Sequence, residues 1–275
     1  MLNLSELTDK VRALAIEAGD FIREERKKFH REAIEKKHAH DYVSYVDKES
    51  EKKIVTRLKE LLPEAGFIAE EGSGTLNDEQ YCWLVDPLDG TTNFIHDNAP
   101  YCVSIALRSK KELLLGVVYE ICRNECFWTY KGAPSYLNGN EIHVSAISNL
   151  DDSFIALGFP YATEEYKPMA NHLVNTLYGN VAGLRLMGAA AVELCYIAAG
   201  RFEARIEAFI GPWDIAAGTI ILQNAGGMIT DFKGGDSYSS GSQVLASNGR
   251  IHRDLLNIIA VSYTHLRAHE TLMNL

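Results

Sequence analysis

One stretch limits what this chain can become: Trp83-Leu84-Val85-Asp86-Pro87-Leu88-Asp89-Gly90-Thr91-Thr92-Asn93-Phe94. The apolar run from Trp83 reads as a strand that ends on the carboxylate of Asp86, and a second carboxylate, Asp89, follows three positions on. Carboxylates are costly to bury without cations or donors, so a fold that buries this strand must supply them at its end. Pro87 restricts the link between the acids, and Gly90 removes a side chain where something approaches the backbone. Thr91, Thr92 and Asn93 then offer donors at what reads as a helix start, a place that attracts anions. Carboxylates for hard cations beside donors for an anion suit a phosphate ester handled by Mg²⁺. A strand followed by an Asx-turn and a capped helix accounts for the same residues. The stretch alone does not separate the two.

The 275 residues suggest about two domains. Acidic residues (37) outnumber basic ones (27), giving a formal net charge of −10. That balance argues against nucleic acid or an anionic membrane as the main partner, since both need a basic footprint. No apolar run approaches the ~20 residues that span a bilayer, and Met1 to Glu6 lacks the order of a signal peptide. An odd cysteine count of 5 without such a peptide favours reduced thiols and a cytoplasmic setting. Cys122 and Cys126, near the ends of two apolar runs, read as core thiols.

Along the chain, Leu7, Val11, Leu14, Ala18 and Phe21 recur at helical spacing. The charged stretch from Arg23 to Lys37 reads as solvated helix surface. Asp41 to Asp47 reads as a loop or hairpin, with Asp47 as N-cap of a helix that Pro63 ends. Phe67-Ile68-Ala69 predicts a short strand leading into Glu70-Glu71-Gly72-Ser73-Gly74, which is either a turn or a further carboxylate for the site around Asp86. From Cys102 to Tyr130 the runs alternate with short polar turns, as in an antiparallel meander, and Asn138-Gly139 signals a hairpin. The domain boundary falls near 146, dividing an N-terminal α+β part (1–145) from a C-terminal α/β part (146–261). In the second part Gly188 to Leu194 opens a helix closed by Gly200. Glu203, Arg205 and Glu207 share one strand face, and Asp214 caps the apolar helix Ile215–Ala225.

Each acid alone has an ordinary explanation. Together, Glu70, Asp86, Asp89 and Asp214 all stand at a strand end or helix start, where side chains from different elements converge. Convergent carboxylates without matching lysines suit a site with several Mg²⁺ ions.

Four segments, in order, resemble the Mg²⁺-dependent, lithium-sensitive inositol monophosphatases. They are Asp41 to Asp47, Glu70 to Ser73, Asp86 to Phe94, and Trp213 to Gly218 followed by Ala225-Gly226-Gly227. The resemblance covers roughly residues 5 to 260. It implies a five-layer α/β/α/β/α sandwich, a homodimer, and hydrolysis of a small phosphate monoester. By the same resemblance, Glu70, Asp86, the Leu88 carbonyl, Asp89 and Asp214 hold two or three Mg²⁺ ions. Thr91, hydrogen-bonded to Asp47, helps Glu70 orient and deprotonate the attacking water, and Gly90 and Thr91 hold phosphate. Gly188, Ala189, Ala190 and Glu207 line the pocket for the alcohol part. Inositol monophosphate is the leading substrate; a sugar bisphosphate such as fructose 1,6-bisphosphate, histidinol phosphate or a nucleotide 3′-phosphate is the alternative within the class. A metal-binding regulatory homologue with little activity is the alternative outside it.

Tyr42 and Ser44 depart from the family's leucine and threonine, and Tyr263 to Leu275 matches nothing expected of it.

Overall fold

The computed structural model describes residues 2–30, 34–38, 41–74, 79–110, 112–160 and 163–261. Leu7, Val11, Leu14, Ala15, Ala18 and Ile22 form the buried stripe of helix α1 (Leu4–Arg26), as their spacing requires. The helix stops at Arg26, well short of Lys37. The charged segment beyond it becomes β1 (Ile34–His38), which pairs antiparallel with β2 (Asp41–Ser44). Cross-strand pairing with the strand that follows overrides the look of a helix surface here.

Helix α2 (Tyr45–Leu61) begins one residue after Ser44, and Ser44, not Asp47, is its N-cap. Ser44 has the extended backbone that a cap needs, and its hydroxyl accepts from Val46 N at 3.2 Å. Asp47 is already helical at the third position. Its Oδ2 accepts from Ser44 N at 2.8 Å and from Ser44 Oγ at 2.6 Å, closing a capping box.

The expected meander forms a seven-stranded sheet in the order β3-β4-β5-β6-β7-β8-β9. Its strands are β3 (Gly66–Ala69), β4 (Tyr81–Asp89), β5 (Cys102–Ser109), β6 (Leu113–Glu120), β7 (Glu125–Tyr130), β8 (Ser135–Leu137) and β9 (Asn140–Ile142). Strand β4 continues past Asp86 to Asp89, and its register with β5 shifts between those two acids. Pro87 has no N–H for the ladder, so the strand bulges there. A five-residue helix, α3 (Thr91–Ile95), follows directly.

The second sheet runs β11-β10-β12-β14-β13, from β10 (Phe154–Leu157), β11 (Gly183–Arg185), β12 (Ala204–Ile210), β13 (Met228–Thr230) and β14 (Ser242–Ser247). Its helices are α4 (Thr163–Leu177), α5 (Ala190–Ala198), α6 (Pro212–Asn224) and α7 (252–261).

Three clusters of buried side chains order these pieces into five layers. Helices α1 and α2 pack on one face of the first sheet. Helices α5 and α6 fill the space between the sheets, and α4 with α7 covers the outer face of the second. The result is the α/β/α/β/α sandwich that the resemblance implied. Helix α6 is buried along Ile215 to Leu222 because it has a sheet on one side and α5 on the other. Gly116 and Gly218 allow that approach: a Cβ on either would stand 2.6 Å from Ala217 O or Leu194 Cβ respectively.

Cys126 is buried as expected, but Cys122 is exposed. It sits in the turn between β6 and β7, past the end of the apolar run that suggested a core position. Residues 263–275, the unmatched tail, lie outside the described residues.

Candidate active site

Strand β4 carries its two acids into the interior, Asp86 at 1% and Asp89 at 8% exposure. The bulge at Pro87 turns the Leu88 amide back onto Asp86 Oδ1 at 3.0 Å. Ser50 of α2 donates its hydroxyl to Pro87 O at 3.3 Å. Asp89 reaches across to the first turn of α5, where Ala190 N donates to Oδ1 at 3.1 Å and Ala191 N to Oδ2 at 2.7 Å. The Cys102 thiol lies 3.6 Å from the same Oδ2. A helix N-terminus therefore partners a buried carboxylate, which is what its free amides and dipole favour.

The turn after Asp89 is built for close approach. Gly90 has φ +91°, and a Cβ there would stand 2.9 Å from Pro100 O. Thr91 Oγ1 lies 2.9 Å from Asp47 Oδ1 and 3.1 Å from the Leu88 carbonyl. Asn93 Nδ2 donates to Pro100 O and Met187 O, both at 2.7 Å, and ties this turn to the segment before α5.

Glu70 stands on the loop after β3, its amide donating to Val85 O at 3.2 Å. The loop is pinned by Glu51 of α2, which is 1% exposed. Its Oε2 accepts from Glu71 N at 2.7 Å and its Oε1 from Ser73 N at 2.9 Å. Asp214 is the third residue of α6 rather than its cap; Gly211 precedes the helix and donates its N–H to Asp214 Oδ2 at 2.7 Å.

Glu70, Asp86, Leu88, Asp89, Gly90, Thr91, Gly188, Ala189, Ala190, Glu207 and Asp214 all line one cleft of about 550 Å³. Asp47 lies behind Thr91, 1% exposed. Burial pushes the Asp86 carboxyl well above the usual range, and the charges of Glu70, Asp89 and Asp214 push it further. Asp89 is raised to about 7 by burial and then by Asp214. Burial also raises Asp47, against the hydrogen bonds from Ser44 and Thr91.

The donor set fits Mg²⁺. It is all oxygen, and its acids come from a loop, a strand end and a helix start. Burial and like charge oppose ionisation of Asp86 and Asp89, and a divalent cation relieves both. Among the described residues no three His, Cys, Asp or Glu side chains stand as a formed ligand group. The four acids instead share one cleft and feel one another's charge.

Ser50, Glu51, Cys102, Glu193 and Arg205 escaped the reading of the sequence. Glu51 and Ser50 stand four and three residues after Asp47, hence on its side of the helix, and that spacing was the available signal. Arg205 had been placed only on the face it shares with Glu203 and Glu207. Its Nε donates to Glu193 Oε2 and its Nη2 to Glu207 Oε2. Glu193 also accepts from Met187 N at 3.0 Å.

Layers, site and motif order together define a phosphatase fold with an acidic cleft. The sequence model of the inositol monophosphatase family matches residues 3–265, and the chain belongs to that family. It is 39% identical over 225 residues to a protein of Pasteurella multocida named Nus factor SuhB, covering 81% of this chain and 84% of that one. The extragenic suppressor protein suhB of Bartonella henselae has a similar structure, with TM-score 0.85 and 32% identity over 91% of this chain and 97% of that one. The Thermotoga maritima IMPase matches with TM-score 0.85 and 29% identity, over 94% of this chain and 98% of that one.

Proposed function

We propose that the chain hydrolyses a phosphate monoester with Mg²⁺, inositol monophosphate being the leading substrate. The observation that carries this is the meeting of Glu70, Asp86, Asp89 and Asp214 in one cleft with the donor turn Gly90–Asn93. Two or three Mg²⁺ ions, held by these acids and the Leu88 carbonyl, would lower the pKa of water and neutralise charge on the phosphoryl and leaving oxygens. Glu70 with Thr91 orients the attacking water and takes its proton, Asp47 fixing the Thr91 hydroxyl from behind. The amides of Gly90 and Thr91 hold the phosphate. Gly188, Ala189, Ala190 and Glu207 form the wall that meets the alcohol part, although the Ala190 amide is already engaged by Asp89.

The same reading divides the chain near residue 146. The first part supplies most of the metal ligands and the second supplies Asp214 and the alcohol pocket. It takes the chain to work as a homodimer in a cytoplasm, on a small phosphorylated metabolite. A panel of monoesters assayed for phosphate release with Mg²⁺, with and without Li⁺, tests it. The panel includes inositol monophosphate, fructose 1,6-bisphosphate, histidinol phosphate and a nucleotide 3′-phosphate. No Mg²⁺-stimulated release from any of them would sink the enzymatic reading.

The name of the Pasteurella relative, Nus factor, supports a second reading, a regulatory protein with little catalysis. The full set of acids and the Thr91–Asp47 pair favour the enzyme, since a protein under no catalytic demand has no use for four carboxylates gathered in one cleft with Asp86 and Asp89 buried. The formal net charge of −10 favours a small metabolite over nucleic acid.

A further inference from the structure

Asp89 is held by the first turn of α5, and that turn has no capping side chain of its own. Its N-cap is Ala189, which has nothing to accept a helix amide with. The Ala190 and Ala191 amides are taken by Asp89 from β4. The segment just before them is held by Glu193, which reaches back along the helix to accept from Met187 N at 3.0 Å. Asn93 holds the other side of the same residue, its Nδ2 2.7 Å from Met187 O. Glu193 is 1% exposed, and burial raises its carboxyl above the usual range; the Arg205 guanidinium opposes that rise.

The second sheet puts Arg205 where Glu193 needs it. In the middle strand β12 it stands opposite Ala156 of β10 and Ala246 of β14, both fully buried. Two small side chains on that face leave room for a guanidinium in the apolar layer between the sheets. Arg205 is 3% exposed there. Its Nε donates to Glu193 Oε2 and its Nη2 to Glu207 Oε2. An arginine fork is rigid, so Glu193 cannot swing away from Met187 without giving up its ion pair. A charge left alone in such a place is costly, whereas a neutral pair of side chains is tolerated.

We propose that Arg205 is a positioning residue for the metal site: through Glu193 it fixes the first turn of α5, whose amides hold both oxygens of Asp89. The proposal rests on the phosphatase reading, in which Asp89 binds Mg²⁺, and adds the pair that aims it. No atom of Arg205 has to reach the substrate. The ion pair works across three elements, β12 of the second sheet, α5 between the sheets and β4 of the first. Such aim matters most at a metal ligand, because the groups that orient a ligand are felt about 10–100-fold in metal affinity.

The test measures Mg²⁺ binding by calorimetry with the metal alone, and amide exchange in EDTA, both on the full chain. Arg205→Met strands the Glu193 charge. The Kd for Mg²⁺ is expected to rise about tenfold or more. The Ala190 and Ala191 amides should exchange about tenfold faster, while the strands of the second sheet do not. Arg205→Met combined with Glu193→Gln removes both charges and keeps an acceptor for Met187 N, so both readouts should return most of the way to wild type. Glu193→Ala removes the acceptor as well and leaves Arg205 its partner Glu207. It serves if Arg205→Met does not fold, and should weaken Mg²⁺ and loosen the same amides. A lower melting temperature with an unchanged Mg²⁺ Kd in the folded variants makes the pair merely structural and overturns the proposal. Losses that add up in the double variant overturn it too. A wild type that binds Mg²⁺ but releases no phosphate overturns the phosphatase reading alone, since both readouts still decide the role of Arg205.

Discussion

The Thr91 hydroxyl stands 2.9 Å from Asp47 Oδ1, joining side chains 44 residues apart. Asp47 reaches this position already fixed, because Ser44 holds its other oxygen with both N–H and Oγ. With its proton on Asp47, the Thr91 oxygen can only accept on its remaining side, which faces the cleft. Thr91→Val keeps the shape and removes the hydroxyl. It is expected to lower kcat about 100-fold, and to cost about 1–3 kcal/mol because Asp47 Oδ1 loses its donor in a buried place. Thr91→Ser should restore most of both. Phosphate release and urea unfolding measure the two effects.

Glu51 is expected to matter almost as much, although it lies outside the cleft. Its two oxygens hold the amides of Glu71 and Ser73, and through them the loop that carries Glu70. Glu51→Gln turns one acceptor into an NH₂ group facing a backbone N–H. The loop should loosen, kcat should fall about tenfold, and stability should drop about 1–3 kcal/mol. Faster hydrogen exchange at the Glu71 and Ser73 amides, with the rest of the first sheet unchanged, would locate the effect in the loop.

Glu51 also shows where the sequence stops being legible. Strand β4 and its acids could be read because apolar run, proline and glycine are local signals. A glutamate in the charged sequence of α2 looks like solvated surface, and only packing against a loop twenty residues on makes it a buried anchor. Arg205 follows the same rule: alternation gave its face on β12, while its partner Glu193 sits on another element, α5. Asp47 and Asp214 were expected as caps and are both third helical residues, a difference settled by the backbone of Ser44 and Gly211. The segment after Arg26 failed as helix because Ile34–His38 pairs with the next strand, β2, and cross-strand pairing leaves no helical period to read. Order and spacing of the acids were in the chain; who holds them was in the packing.

His252 gives the fold a dependence on pH outside the cleft. It is 3% exposed at the start of α7, with Ser247 Oγ 2.8 Å from Nδ1 and Thr230 Oγ1 2.9 Å from Nε2. Burial pushes its pKa down from 6.5 to about 4. The unfolded chain then takes up a proton at a higher pH than the folded one does. The stability this residue contributes is fully present above pH 6.5 and is lost progressively as pH falls toward 4. His252→Gln, which keeps a neutral hydrogen-bonding side chain, should melt lower than wild type at pH 7 and lose less on acidification. The gap between the two melting temperatures should narrow by several degrees between pH 7 and pH 4.5. A constant gap across that window would remove His252 as the cause.

Asp89 offers the sharpest separation of metal chemistry from fold. Its oxygens are held by the amides of Ala190 and Ala191, so Asp89→Asn keeps the side chain's shape while removing a charge from a crowded acidic cleft. Burial and Asp214 oppose that charge when no cation is present. The variant is therefore expected to fold, with a melting temperature in EDTA close to that of wild type: lost repulsion offsets the one amide left facing an NH₂. Adding Mg²⁺ at 100 times its Kd should stabilise wild type by about 2.7 kcal/mol, or roughly 5–10 °C in a chain of this size. The variant should show a far smaller rise. Its phosphate release should fall by about 1000-fold, as for other groups that stabilise charge in the transition state. Equal Mg²⁺-induced rises in both proteins would exclude Asp89 as a ligand, and near-normal turnover in the variant would exclude it from the chemistry altogether.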